Sequence, residues 1–236
     1  MHRRNAAIVV VLALLTGASS AIAQAGERLI ADVGGRSVKL LVPDGYCLLD
    51  EQVPADFRLV SFIRRVIAGT NELLLIAADC VELQQIHDGK RDRLGKFVEV
   101  QVPIQFKSVD VTGQETQVAS TVCAQMRTTI ADQMPSLGAD VKSRVESLSD
   151  GGIKVNDTQL LGVLADEPGA CYTGLVQRFD VAKTKDIAIT GVFATFGLKG
   201  RLIFLYHFAP GIDVSVVEQL LEATKADVAA QRAANP

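Results

Sequence analysis

The sequence predicts an α+β protein, with a single, largely antiparallel β-sheet, helices packed on it, and a signal peptide in front. Three observations carry that expectation. From residue 154 onward four β-rich runs follow one another through short turn signals, and strands joined by short turns are antiparallel neighbours. Several other segments repeat their apolar residues at helical spacing. The first 25 residues have a basic start, an apolar middle and a small-residue end, which are the three parts of a secretory leader.

The leader opens Met1-His2-Arg3-Arg4 and continues through an apolar run from Asn5 to Leu15. That run is shorter than the ~20 residues a spanning helix needs. Two overlapping A-x-A sites follow, Ala21-Ile22-Ala23 and Ala23-Gln24-Ala25. Cleavage after Ala23 or Ala25 is expected, so the mature chain starts at Gln24 or Gly26. The expected organisation is a signal peptide over 1–25, one α+β domain over 26–230, and a frayed tail over 231–236. The product is expected in the periplasm, with no stable membrane anchor after cleavage.

The elements follow in order. Arg28 to Val33 and Arg36 to Val42 flank Gly34-Gly35 and read as a tight hairpin. Pro54 to Ala68 reads as a helix, with Leu59, Phe62, Ile63, Val66 and Ile67 on one face. Leu73 to Leu83 is a continuous apolar run and reads as a central strand. His87 to Gly95 is charged and reads as an exposed loop. Phe97 to Phe106 alternates as a half-buried strand, which Pro103 places at an edge or bulge. Thr112 to Met134 reads as a long helix ended by Pro135, and Gly138 to Leu148 as a weaker one. Lys154 to Leu164, Cys171 to Phe179, Ile187 to Phe196 and Arg201 to Phe208 read as a meander of strands. In the last of these, Leu202, Phe204, Tyr206 and Phe208 share one face, and Ile203, Leu205 and His207 share the other. Both faces are mostly apolar, so this strand is expected at the centre. A final helix capped by Asp213 or Ser215 presents Val217, Leu220, Leu221, Thr224 and Val228.

All four cysteines, Cys47, Cys80, Cys123 and Cys171, lie beyond the leader. An even number in an exported chain favours two disulfides. Reading residues 47–80 as a β-α-β crossover puts Cys47 and Cys80 at the same end of the sheet. The expected pairs are therefore Cys47–Cys80 and, by elimination, Cys123–Cys171. No C-x-x-C is present, and the spacing is too wide for a zinc knuckle.

Charge and composition exclude several functions. The chain has 24 Lys and Arg against 27 Asp and Glu, a formal net charge of −3. Arg3 and Arg4 lie in the leader, which holds no acid, so the remainder is more acidic still. That balance argues against nucleic acid, whose phosphates require a basic face. There is no Trp and there are three Tyr, which weakens sugar-binding and aromatic-cage readings.

No G-x-S-x-G, H-E-x-x-H, P-loop or dinucleotide fingerprint occurs, and no cofactor or metal is expected. The most suggestive chemistry is Asp79 with Glu82, beside Cys80, where a raised pKa would make a general acid or base. The competing reading places both acids at a strand end, in contact with solvent and cap groups. His87 is expected as a solvated loop residue and His207 as a satisfied core or rim histidine. Lys90-Arg91-Asp92-Arg93 reads as a solvated loop of mixed sign, and Arg64-Arg65 as a solvated face, with contact to an acidic partner as the alternative.

An opening hairpin, a helix, a central antiparallel sheet and a C-terminal helix after Leu202-Ile203-Phe204-Leu205-Tyr206-His207-Phe208 together resemble the PsbP-type α-β-α sandwich. Gly45-Tyr46-Cys47-Leu48-Leu49-Asp50 and Ala78-Asp79-Cys80-Val81-Glu82-Leu83 resemble pieces of uncharacterised exported alphaproteobacterial proteins. The resemblance implies a non-enzymatic binding or assembly module and carries over no catalytic residue. The expected function is that of a soluble periplasmic binding or accessory protein of the envelope, with a periplasmic protein or small ligand as partner. The alternative is a carboxylate-dependent envelope hydrolase using Asp79 and Glu82.

Overall fold

The computed structural model describes residues 28–128, 130–182 and 184–236, without the side chains of 130–137. The expected leader lies outside these residues. Nine strands and five helices follow in chain order among the described residues: β1 Arg28–Val33, β2 Arg36–Leu41, β3 Tyr46–Leu48, α1 Pro54–Ile67, β4 Asn71–Asp79, α2 Cys80–His87, β5 Phe97–Pro103, α3 Glu115–Thr128, α4 Ile130–Leu148, β6 Ile153–Glu167, β7 Ala170–Val181, β8 Thr184–Leu198, β9 Arg201–Pro210 and α5 Val214–Ala233. The fold class is α+β, as expected. Seven strands form one sheet in the order β3-β4-β5-β9-β8-β7-β6, and every neighbouring pair is antiparallel. The β1–β2 hairpin is a separate two-stranded sheet rather than part of the large one.

Both faces of the large sheet are covered. One carries the main core, in which Val100, Val102, Ala194, Phe196, Ile203 and Leu205 meet Val33, Val38 and Leu40 of the hairpin and Val228 of α5. On the other face, Leu73, Ile76 and Ala78 of β4 pack with Val60 of α1 and Leu83 of α2, and α3 is tied to β7. The layering follows from strand composition, because strands apolar on both faces require a partner on each.

Buried Arg201 fastens the hairpin to the sheet. Its Nε donates to the Val33 carbonyl at 3.0 Å, its Nη2 to Gly34 at 2.8 Å and its Nη1 to Val109 at 3.1 Å. Gly34 sits at φ +56°, and a Cβ there would lie 2.3 Å from the Lys107 carbonyl oxygen, so the turn approaches its neighbour as only glycine allows.

Several expectations are corrected. The apolar run from Leu73 does not continue as a strand to Leu83. It turns into α2 at Cys80, because the Asp79 carboxylate accepts from the Val81 and Glu82 amides at 3.0 and 3.1 Å and caps a helix. β5 is not an edge strand but lies between β4 and β9. Pro103 closes it, at the last position of its pairing with β4 and beyond its pairing with β9, which ends at Gln101. Pro135 does not end a helix. It lies in the second turn of α4, which is anchored further along, where Glu146 accepts from the Val155 amide of β6 at 3.0 Å.

The tail does not fray. α5 runs to Ala233, and Gln231 and Asn235 are buried. The Gln231 carboxamide accepts from the Leu41 amide at 3.0 Å and donates to the Leu41 carbonyl at 2.8 Å. Asn235 does the same to Lys39, at 2.8 and 2.7 Å. Residues i and i+4 of a helix are about 6 Å apart along its axis, and i and i+2 of a strand about 6.7 Å. Two carboxamides four residues apart on α5 therefore match alternate residues of β2 and stand in for a missing strand.

Both expected disulfides are present, Cys47–Cys80 and Cys123–Cys171, with Cα separations of 5.0 and 5.4 Å. The crossover expected for the first pair is not. β3 pairs antiparallel with β4, Cys47 stands opposite Ala78, and the chain reaches Cys80 two residues later, at the start of α2. Cys123–Cys171 joins α3 to β7 across a separation of 48 residues. A loop of that length restricts the unfolded chain by about 4 kcal/mol. Replacing both Cys123 and Cys171 by Ser is expected to lower unfolding free energy by about that amount in urea titrations, with the sheet retained by circular dichroism.

Candidate functional site

The two acids singled out in the sequence do not converge on open space. Asp79 is the α2 cap. Glu82 lies on α2 itself, where its carboxylate accepts from the Gly95 and Lys96 amides at 2.6 and 3.0 Å and pairs with Arg91 at 3.2 Å. Both hold backbone in place. Asp79-Cys80-Val81-Glu82 has an acid at the cap and a Glu three residues on, the spacing of a helix start, so this capping was readable in the sequence.

His87 is not a solvated loop residue. α2 carries it back under α1, where its Nε2 lies 2.7 Å from buried Asp56 Oδ1. His207 is in the core, as expected, with Nε2 2.6 Å from Asp227 Oδ2 of α5. Its Nδ1 has no partner among the described residues. Lys90, Arg91 and Arg93 line an open depression of about 470 Å³ with Gly89 and Asp92. The bases there are paired with Asp88, Glu82 and Asp92 respectively. Arg64 forms a two-pronged pair with Glu51 at 2.6 and 2.7 Å, which raises the Arg64 pKa and lowers that of Glu51. Arg65 donates to the Ser61 carbonyl. No group of three or more His, Cys, Asp or Glu able to hold a metal occurs among the described residues.

The unusual chemistry lies elsewhere, on the helix-covered face of the central strands. β5 and β9 pair Phe97 with Phe208, Glu99 with Tyr206 and Gln101 with Phe204. β8 adds Phe193, opposite Tyr206, and Gly191, opposite Phe208. Phe97 stacks on Phe208 with centroids 4.5 Å apart, and Phe193 on Tyr206 at 5.2 Å. Tyr206 and Phe208 are nearly coplanar in orientation, 6.0 Å apart, and Phe204 meets Tyr206 edge-on at 6.3 Å. A Cβ on Gly191 would lie 2.7 Å from the Phe208 ring, so this glycine makes the seat for that ring. Phe97, Phe204, Tyr206 and Phe208 are only half-buried although they stand on central strands.

Glu99 lies at the base of this aromatic row, 6% exposed. Its carboxyl accepts from Gln101 Nε2, and Gln101 Oε1 accepts from Asn71 Nδ2 at 2.7 Å. No cation is paired with it among the described residues. Burial pushes its pKa up to about 7, against the smaller downward pull of the Gln101 hydrogen bond. Burial also raises the Tyr206 hydroxyl, and the neighbouring Glu99 charge adds to that. On β7, opposite Phe193, the buried Thr173 hydroxyl has no hydrogen-bond partner among the described residues. The arrangement offers apolar ring surface, one titratable carboxyl and an amide relay that orients it.

No family model matches the chain, and no curated protein matches it. A search of solved structures matches the cyanobacterial PsbP protein CyanoP from Synechocystis sp. PCC 6803, known from a solution structure, at 15% identity and a TM-score of 0.36. The match covers 91% of this chain and 96% of that one.

Two outcomes follow from these contacts. Glu82→Ala strips two backbone amides of a charged acceptor, and one of them belongs to buried Gly95; it is expected to cost about 3 kcal/mol in urea unfolding, against about 1 kcal/mol for Asp79→Ala. Glu99 holds its proton more tightly folded than unfolded, so stability is greatest below the unfolded range near 4.5 and falls as pH rises through about 7. The stability difference between Glu99→Gln and the native chain is therefore expected to shift in favour of Gln by roughly 3 kcal/mol between pH 4 and pH 8.

Proposed function

We propose that this chain is a periplasmic, non-enzymatic binding protein of the cell envelope whose ligand seat is the incompletely buried aromatic row over Glu99. The carrying observation is the incomplete cover on strands β5 and β9. Four rings on the two central strands keep partial access to solvent, although burial of such rings is a large part of what stabilises a sheet. A bound apolar molecule completes that cover. Two disulfides support an oxidising compartment, and the basic, apolar and small-residue order of residues 1–25 supports export. No helix among the described residues is long and apolar enough to cross a membrane.

The test uses protein purified from a periplasmic extract, with its mass expected to correspond to a start at Gln24 or Gly26. Titration with the uncharged fluorophore N-phenylnaphthylamine is expected to give a saturable, single-site rise in emission. Phe208→Ala, which removes the ring stacked on Phe97, is expected to weaken that binding about tenfold. Emission that never saturates, or that is indifferent to Phe208→Ala, overturns the reading.

A further inference from the structure

We infer that the seat at Glu99 takes an organic cation, a protonated or quaternary amine carried on an apolar body. The inference rests on the binding role proposed above and names the ligand class of the same site.

A buried carboxylate normally has a cation or several N–H donors beside it. Glu99 has one amide donor from Gln101 and no cationic partner among the described residues. The segment 129–137, whose side chains lie outside the description, contains no Lys, Arg or His in sequence. Among the described residues the acid is therefore short of a counter-charge. The groups around it sharpen the choice. Tyr206 stands opposite Glu99, Phe97 lies two residues away on the same face, and Phe193, Phe204 and Phe208 are in ring contact with these two; ring faces carry negative potential that attracts cations and disfavours anions. Ring faces and a carboxylate together favour an amine over a neutral alcohol and exclude a fatty acid or other carboxylate ligand. The Asn71-to-Gln101 relay fixes the Gln101 amide so that its N–H₂ faces Glu99. That leaves the rest of the carboxylate's acceptor capacity for an incoming N–H donor or a methylated ammonium.

The experiment compares three ligands of one shape by titration calorimetry at pH 8, above the range in which Glu99 holds its proton: phenethylammonium, phenethyl alcohol and phenylacetate. The ammonium is expected to bind about tenfold or more tighter than the alcohol, with phenylacetate weakest. Glu99→Gln keeps the shape and removes the charge, and is expected to bring the ammonium to within about twofold of the alcohol. Equal affinity for ammonium and alcohol in the native chain, a preference for phenylacetate, or an ammonium preference that survives in Glu99→Gln overturns the inference. If the variant does not fold, the three-ligand comparison in the native chain decides alone. Failure of all three ligands to displace N-phenylnaphthylamine also overturns it, while leaving the apolar site standing. Failure of the fluorophore itself removes the binding role as well.

Discussion

Strands β5 and β9 lie in the middle of a sheet packed on both sides, fully on one and only in part over their aromatic row on the other, and most of the structure follows from satisfying those two faces. One face is covered by a hairpin and a C-terminal helix drawn from opposite ends of the described chain. The hairpin is fastened by the Arg201 guanidinium reaching three of its neighbours' carbonyls, and α5 by two carboxamides bonded along β2. The other face is covered by helices of shorter reach. There the covalent cross-links do the fastening, joining β3 to the start of α2 and α3 to β7.

Within this scheme Glu99 is the group that local rules would remove. A central strand position facing rings and helices favours Val or Phe, and a carboxyl there costs stability at neutral pH. Proteins break such rules chiefly at functional sites. The acids that looked functional in the sequence, Asp79 and Glu82, instead fasten backbone at a strand-to-helix corner. The two kinds of acid differ in their partners: amides and an arginine around the corner pair, and a single side-chain amide beside Glu99.

The meander from β6 to β9, the opening hairpin and α1 were legible because their turns and apolar periods are local. The disulfide pairing was also legible, although the crossover that motivated it does not exist. Glu99 was not legible, because the alternation of Phe97, Glu99 and Gln101 against Val98, Val100 and Val102 shows which residues share a face and not whether that face is covered. The aromatic row was missed for a related reason. A low count of Tyr and no Trp weakened any ring-based site, yet four of the nine Phe and one of the three Tyr stand on a single face. Gln231 and Asn235 read as tail because polarity in a terminal segment usually means solvent. Only the three-dimensional edge of β2 reveals them as backbone mimics.

The carboxamide seam between α5 and β2 has a consequence for how the chain comes into being. Lys39 and Leu41 are translated about 190 residues ahead of the side chains that complete their hydrogen bonding. Until those side chains leave the ribosome, the outer edge of the hairpin stays unsatisfied and the main core lacks one wall. Contacts of such long sequence separation form late and make folding slow. The hairpin edge is thus completed by side chains that stand almost at the other end of the described chain, so the main core closes only when nearly all of that chain is present.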